Sequence, residues 1–501
     1  MNKKLLIPLF LMNNLFAFNQ SYLNINQLTN KVTPDGKWVG GFFANWSYWR
    51  LPVGQVKQLI SSPKASFVTY AFLTMVTSDN LHKDEITYGG KTITEPGPIG
   101  TVVDIDYIAE PNVATDNINS LINYKATSQG KTLLMASIGG WSYSPRYTTF
   151  AKDVQKNPNA LNIFAKSVLT WLKAHPNFDG INIDWEYPGW GQDETIDNHL
   201  GEGVVFNQMI DKIHYELSTE EAKTGKHYYI SIATVASTKK YLGDNNTINW
   251  QTIAAEVDWI DLMAFDINGE FNAPNGTALS QVSTLSDLEV ILNDYIKVGI
   301  PSSHILLGVP LYAREMLVKD LPTQSNQYGY NGSLNYPGID KNLYTPDITY
   351  LNPPNVLPYY PATGMVDNTG VYSYSCFINL LPGGESSAPS CPGPVSSIPD
   401  NRSLWGAPLP QNLQFVSNVD NNGNSWIYGT SQNVIADPSG AKTYLAYPVF
   451  TLETKESLTL KINNLVKKLN LGGVWFWDLT QDSLNNPSMS LFVSAYNQLN
   501  K

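Results

Sequence analysis

Eight short apolar segments with the composition of strands recur along this 501-residue chain, and helix-like patterns separate most of them. The segments are 38–45, 66–73, 131–138, 181–186, 228–235, 259–266, 304–312 and 472–478. The helical spacing is clear in 159–175, where Leu161, Phe164, Ala165 and Val168 share one face. Strands that alternate with helices favour a parallel sheet, and eight such units close into a barrel. We therefore predict an α/β fold, a (β/α)8 TIM barrel.

The fourth segment alternates apolar and polar residues, which is the period-2 pattern of a strand with one polar face. That face carries Asn182, Asp184 and Glu186. The two carboxyls are about 6 to 7 Å apart on a strand rising roughly 3.3 Å per residue, so they can act on one substrate and shift each other's pKa. Tyr187 and Pro188 end the strand, which puts Glu186 where the active site of a barrel lies. A structural ion-pair network is the alternative interpretation.

The run 179–188, Asp-Gly-Ile-Asn-Ile-Asp-Trp-Glu-Tyr-Pro, resembles the D-G-x-D-x-D-W-E-Y-P signature of family-18 glycoside hydrolases, the chitinases. The resemblance implies retaining hydrolysis of β-1,4 links between N-acetylglucosamine units. Glu186 would be the general acid. The substrate's own acetamido oxygen would attack the anomeric carbon, so no second carboxylate acts as nucleophile. Asp184 would orient the acetamido group and stabilise the oxazolinium intermediate.

Further motifs at the ends of predicted strands resemble those of the same family. They are 137–140 (S-I-G-G), 263–266 (M-A-F-D), 312–314 (Y-A-R) and the tryptophan of 472–478. The glycines of the first would let the backbone pass close to the catalytic strand. The resemblance assigns substrate contact to Phe72, Trp141, Asn182, Tyr187, Met263, Phe265, Asp266, Tyr312, Arg314 and Trp477. Trp477 would form the floor beneath the sugar, and cis peptides are implied at 71–72, 186–187 and 477–478.

Two positions depart from the family's pattern. Phe265 stands where the family usually has a tyrosine, so that hydroxyl is missing here. Asn182 stands where the family usually has an aspartate, which could share a proton with Asp184, whereas an amide has none to share. We therefore expect Asp184 to ionise more easily than in relatives with three acids, and Asn182→Asp to shift the pH–rate profile.

The seventh and eighth predicted strands are separated by about 160 residues, far more than a helical crossover needs. We predict that 313–447 form an α+β insertion subdomain, as family-18 chitinases often carry here, and that 36–312 and 448–501 form the barrel. The insertion contains Cys376 and Cys391, the only cysteines, for which we predict a disulfide in an exported protein. Residues 76–116 are predicted to be a long loop because they hold several glycines and prolines.

The amino terminus indicates where the protein acts, and the composition indicates which partners suit it. Residues 1–18 have the basic start and short apolar run of a secretory signal peptide, so we expect a secreted or periplasmic protein with no membrane anchor. A net charge of −11 argues against nucleic acid as a partner. Aromatic residues, 12% of the chain, suit stacking on the sugars of chitin or N-acetylglucosamine oligosaccharides, although an aromatic core would also explain them. We predict no metal site and no cofactor, because cysteines and histidines lack ligand spacing, and we expect a monomer.

Two other functions fit the same motifs. An endo-β-N-acetylglucosaminidase acting on glycoprotein glycans shares the catalytic residues. A catalytically weak chitin-binding lectin on the same barrel is the second alternative, but such relatives typically lose the acid, whereas Glu186 is retained.

Overall fold

The computed structural model describes residues 36–47, 64–78, 97–192, 196–267, 284–318, 371–374, 415–419, 423, 425–429, 433–436, 443–483 and 486–499. The predicted signal peptide, residues 1–18, lies outside these ranges. Cys376 and Cys391 lie outside them too, so the disulfide stays a prediction.

Fifteen strands occur within the described ranges. They are β1 (Trp38–Ala44), β2 (Phe67–Met75), β3 (Val102–Val103), β4 (Leu133–Gly139), β5 (Gly180–Asp184), β6 (Tyr229–Val235), β7 (Trp259–Met263), β8 (Ile305–Pro310), β9 (Tyr312–Val318), β10 (Val371–Ser373), β11 (Phe415–Val419), β12 (Ser425–Gly429), β13 (Asn433–Ala436), β14 (Thr443–Thr451) and β15 (Gly473–Trp477).

The α-helices that lie wholly within the described ranges pack mainly around the outside of the barrel. They are α1 (Ile105–Ala109), α2 (Pro111–Thr127), α3 (Ser144–Lys156), α4 (Asn159–Ala174), α5 (Glu202–Thr224), α6 (Trp250–Glu256), α7 (Leu285–Lys297), α8 (Lys455–Lys461) and α9 (Leu491–Leu499), with a π-helical turn, Ile462–Lys467, continuing α8. None of the helices in the described ranges combines the length and the apolar composition needed to cross a bilayer.

Eight parallel strands close into a barrel. The order of neighbours is β1, β15, β8, β7, β6, β5, β4 and β2, and β2 pairs again with β1. Every one of these strands therefore has a partner on both sides. The predicted α/β barrel is confirmed.

Side chains alternate between the barrel interior and the surrounding helices. On β7, Trp259 and Met263 belong to the interior aromatic cluster, whereas Ile260 and Leu262 pack in the outer layer beneath the helices. Asp261 has the same parity as Trp259 and Met263, so its carboxyl faces the interior. An acid thus lies inside the barrel, among aromatic rings.

A second sheet, which is antiparallel, comes from the chain between the last two barrel strands. β9 pairs with β10 and β14, β14 pairs with β12 and β13, and β12 pairs with β11. β9 begins at Tyr312 and β14 ends at Thr451, close to the limits expected for the insertion. The division of the chain into barrel and insertion subdomain stays a prediction.

The predicted loop at 76–116 is wrong in part, because it contains β3, α1 and the first turns of α2. α2 begins at Pro111, and a proline is tolerated in the first turn because its missing N–H has no helical acceptor there. Helix α3 has no counterpart in the predicted elements. Its buried residues Tyr147, Phe150, Ala151 and Val154 nevertheless have helical spacing.

His227, just before β6, lies between two carboxylates. Its Nδ1 is 2.7 Å from Glu221 Oε2 and its Nε2 is 3.2 Å from Asp258 Oδ1. Burial alone would lower the pKa of His227, but the hydrogen bonds and charges of Asp258 and Glu221 outweigh it and raise the pKa to about 9.

We expect this raised pKa to make the fold more stable below neutral pH. The stabilisation is complete below the unfolded-state pKa of about 6.5 and is lost as the pH rises through about 9. It should amount to roughly 2 kcal/mol, since one pKa unit corresponds to about 1.4 kcal/mol and His227 is partly exposed. Denaturant unfolding of His227→Gln between pH 6 and 10 should lack this pH-dependent component. His175→Gln is the control, because the Nδ1 of His175 contacts the carbonyl of Trp171; equal pH dependence in both variants would contradict the prediction.

Candidate active site

The residues predicted for the site gather at one mouth of the barrel. Because the barrel strands are parallel, their carboxyl ends open on the same side. Six barrel strands lead to these residues. They are Phe72 in β2, Trp141 after β4, Asp184, Glu186 and Tyr187 at and after the end of β5, Met263, Phe265 and Asp266 at and after the end of β7, Tyr312 and Arg314 in β9, which follows β8, and Trp477 at the end of β15. Side chains far apart in sequence therefore face one space.

Asp184 and Glu186 are only 3% and 9% exposed. Burial, followed by the charge of Asp261, raises the pKa of Asp184 to about 8. Burial raises the pKa of Glu186 well above its ordinary value, the charges of Asp184 and Asp266 add to this, and a hydrogen bond with Tyr187 opposes it. A carboxyl that keeps its proton at neutral pH can act as a general acid.

Hydrogen bonds hold the backbone on both sides of Glu186. The amide of Glu186 donates to Ser144 Oγ at 2.8 Å, and this hydroxyl donates to the carbonyl of Gly140 at 2.9 Å. The amide of Gly189 donates to Glu202 Oε2 at 2.9 Å. The peptide bonds 71–72, 186–187 and 477–478 are cis, as predicted. Ser144 and Glu202 belong to α3 and α5, so helices outside the barrel fix the loop that carries the acid.

Two consecutive glycines allow β4 to pass between the catalytic strand and the aromatic mouth. Gly139 and Gly140 have φ values of 113° and 79°, which side chains other than glycine rarely adopt. A Cβ on Gly139 would collide with the carbonyl of Asp184, and one on Gly140 would collide with the ring of Phe72. The glycines thus bring Phe72 close to the acid-bearing strand, in line with the role predicted for them.

Trp477 forms an aromatic floor with neighbouring rings. Its ring stacks on Phe72 with 5.5 Å between centroids and an angle of 20°. The ring centroids of Phe42 and Trp46 lie 5.5 and 6.0 Å from that of Trp477. Trp477 and Phe72 are half-buried, so part of each ring faces outward. Sequence reasoning assigned no role to Phe42 or Trp46, although Phe42 lies within the first predicted strand and Trp46 directly follows it.

A second wall of the mouth follows β7 and β8. The Phe265 ring meets Tyr312 edge-on, with centroids 6.2 Å apart. Arg314 Nε lies 2.6 Å from Asp266 Oδ1, so this arginine is engaged in an ion pair. Met263 is buried against the interior cluster. That these residues contact substrate stays a prediction.

Trp141 lies farther out, after β4. It is 53% exposed, and its carbonyl accepts a hydrogen bond from Gln192 Nε2. An exposed indole beside the site suits the predicted contact with a sugar ring.

Asn182 and Asp261 lie beneath the catalytic pair, and both are fully buried. Asn182 Nδ2 donates to Asp261 Oδ2 at 3.1 Å and to Ser231 Oγ at 2.8 Å, while its Oδ1 accepts from Ser137 Oγ at 2.7 Å. Sequence reasoning missed Asp261, and the expectation of an easily ionised Asp184 counted only the acids on β5. Asp261 could have been found from its place in the middle of an apolar strand. The comparison of Asp184 with relatives stays a prediction.

The carboxyls among the described residues of this site are not arranged as metal ligands. Within the ranges that the structure describes, no three side chains of His, Cys, Asp or Glu are grouped so that they could hold a metal ion. Asp184 Oδ1 accepts no hydrogen bond from any described residue. The arrangement therefore offers a buried carboxyl with a raised pKa, a neighbouring acceptor and an aromatic surface.

Known proteins resemble this chain in sequence or in fold. Endochitinase 1 of Metarhizium robertsii is 27% identical over 440 residues, which cover 83% of this chain and 90% of that protein. A chitinase from Bacillus thuringiensis superposes with a TM-score of 0.60 at 18% identity, over 92% of this chain and 69% of that one. A chitinase-like agglutinin from Robinia pseudoacacia superposes with a TM-score of 0.56 at 14% identity, over 92% and 99%.

At identities of 14% and 18% the solved structures support the fold alone. Family membership comes from the sequence, since the model of glycosyl hydrolases family 18 matches residues 39–482. This range includes all eight barrel strands except the first residue of β1. The chain therefore belongs to glycosyl hydrolases family 18.

Proposed function

We propose that this protein is an exported chitinase that cleaves β-1,4 links between N-acetylglucosamine units with retention at the anomeric carbon. The observation that carries the proposal is the placement of Glu186, which is 9% exposed just after β5 and next to Asp184. Burial and the charge of Asp184 raise the pKa of Glu186 well above its ordinary value. A carboxyl with a raised pKa keeps its proton to a higher pH, which suits a general acid at the mouth where a glycan would enter. Export rests on the composition of residues 1–18.

Cleavage begins when Glu186 gives its proton to the glycosidic oxygen and the bond from that oxygen to the anomeric carbon breaks. The acetamido oxygen of the same sugar forms a bond to the anomeric carbon on the opposite face, which gives a cationic oxazolinium ion. Water then attacks the anomeric carbon and loses a proton to the Glu186 carboxylate. The oxazolinium ring opens, which restores the acetamido group, and Glu186 is protonated again. Two displacements at one carbon give net retention.

Asp184 and Tyr312 act on the acetamido group in this proposal. Asp184 Oδ1 accepts no hydrogen bond within the described part of the chain, so it can accept one from the acetamido N–H. The positive charge that develops on the acetamido group favours the ionised form of Asp184. Tyr312, two residues beyond β8, holds the acetamido oxygen on the attacking side.

The aromatic floor favours a chain of neutral sugars as substrate. The apolar face of a pyranose ring can cover Trp477, whose orientation is fixed by stacking on Phe72. A net charge of −11 offers no attraction to polyanions, and chitin carries no charge.

The test is to incubate the protein with the hexamer of N-acetylglucosamine and, separately, with a glycoprotein bearing N-linked glycans. We expect the hexamer to be cut to shorter oligomers whose new reducing ends appear first as the β anomer by NMR. Glycan release without hexamer cleavage would replace the proposal by an endo-β-N-acetylglucosaminidase. Binding to chitin without cleavage of either substrate would replace it by a lectin.

A further inference from the structure

Asn182 and Asp261 exchange a hydrogen bond across the inside of the barrel. β5 and β7 are not neighbours, since β6 lies between them. The register aligns Asp184 with Ala233 of β6, and Ala233 with Asp261 of β7. The side chain between the two acids is thus only a methyl group. Asp184 and Asp261 therefore point into the same part of the barrel interior, from strands that only β6 separates.

Asp261 is the acid among these hydrogen-bonded side chains, and two N–H groups donate to its carboxyl. Trp259 Nε1 donates to Asp261 Oδ1 at 3.0 Å, and Asn182 Nδ2 donates to Asp261 Oδ2. The Asn182 amide is held on both sides, since its oxygen accepts from Ser137 Oγ and its nitrogen donates to Ser231 Oγ as well as to Asp261. The amide nitrogen is therefore aimed at Asp261.

We propose that Asp261 is a positioning residue of the hydrolytic site: held by Asn182, it supplies from β7 the buried acid that the family usually carries at position 182 of β5, and it acts on Asp184. This inference rests on the proposed function, in which Asp184 handles the acetamido group. One buried acid thus lies beneath Asp184, but it belongs to β7 and not to β5.

The electrostatics agree with this geometry. Burial and then the charge of Asp261 raise the pKa of Asp184 to about 8. Burial raises the pKa of Asp261 to about 8, and hydrogen bonds from Trp259 and Ser231 oppose the rise. Among the described residues, the other titratable groups that interact with Asp184 are Glu186 just after β5, with Tyr187 beside it, and Tyr147 from α3.

Four proteins test the proposal: the wild type, Asp261→Asn, Asn182→Asp and the double variant with both changes. The titration of the Asp184 carboxyl is followed by ¹³C NMR of aspartate-labelled protein, with Asp184→Asn used to assign the signal. We expect Asp261→Asn to lower the midpoint by about 1 pH unit or more, because a nearby like charge is removed. Asn182→Asp should raise it, and the double variant should return it close to the wild-type value.

A second readout separates positioning from a purely structural role. In Asp261→Asn two amide nitrogens can face each other, so its melting temperature should fall, whereas the double variant restores a donor facing an acceptor and should recover. A structural role alone predicts this thermal pattern without movement of the Asp184 midpoint or of the pH profile of kcat/KM on chitin oligosaccharides. An unmoved Asp184 midpoint in Asp261→Asn would therefore overturn the proposal.

The remaining comparisons decide the question even if Asp261→Asn does not fold or the wild type does not cut chitin oligosaccharides. If Asp261→Asn does not fold, Asn182→Asp and the double variant still differ only in the charge at position 261, and equal Asp184 midpoints in these two would overturn the proposal. Asp258→Asn, which changes the residue directly before β7, should leave the midpoint unchanged. A wild type that cuts no oligosaccharide would reject the chitinase function, whereas the titrations would still decide whether Asp261 acts on Asp184.

Discussion

Replacing Glu186 by glutamine should lower kcat on chitin oligosaccharides by about 10²- to 10⁴-fold, the range that a general acid contributes. The amide keeps the size of the side chain but has no acidic proton to give to the leaving oxygen. Binding of the oligosaccharide should persist, because the aromatic floor of Trp477 and Phe72 is untouched. Initial rates and calorimetric binding to the hexamer measure the two effects separately.

The loss should also depend on the leaving group. An aryl glycoside that releases a weakly basic phenolate needs little proton donation, so Glu186→Gln should lose much less of its rate on that substrate. Glu456→Gln is the matched control, since Glu456 is exposed in the first turn of α8. Turnover near that of the wild type in Glu186→Gln, or an equal loss on both substrates, would remove Glu186 from the role of acid.

Replacing Asp184 by asparagine should lower kcat by about 10²- to 10³-fold, the size of effect seen when one group that stabilises transition-state charge is lost. Asparagine can still accept a hydrogen bond from the acetamido N–H, but it carries no negative charge to set against the oxazolinium ion. The loss should be the same on the chitin hexamer and on the aryl glycoside, because the acetamido group attacks in both. Initial rates on the two substrates measure it.

This equal loss distinguishes Asp184 from Glu186. The control is Asp116→Asn, which removes an exposed acid on α2 far along the chain from the motif. If Asp184→Asn behaved like Glu186→Gln, with a loss that shrank on the better leaving group, Asp184 would belong to proton transfer and not to the stabilisation of the acetamido cation.

The barrel could be predicted because its strands are buried on both faces and its helices have one apolar stripe, so both leave periodic signals in a single sequence. The signal is weaker where composition and structure disagree. Residues 76–116 hold glycines and prolines, yet Pro111 sits in the first turn of α2, where a proline costs nothing. Local composition cannot tell a proline that starts a helix from one in a loop.

The site shows the same division between local and distant information. Asp184 and Glu186 could be found because they lie two residues apart in one motif. The sequence marks Asp261 only as an acid within an apolar strand. Its link to this pair could not be predicted, because its hydrogen bond to Asn182 joins residues 79 positions apart across an intervening strand. Ser144, which holds the amide of Glu186, is likewise 42 positions away. Contacts of this kind depend on barrel closure and strand register, which no motif encodes.

The reach of Asn182 across β6 to Asp261 restricts how segments of this enzyme can be exchanged with those of relatives. A hybrid that joined this chain's β7 to a donor's β5 carrying aspartate at position 182 would set two carboxyls against each other in a space closed to water. A crossover before β5 or after β7 keeps positions 182 and 261 from the same parent and preserves their hydrogen bond. A crossover between these strands separates the two positions.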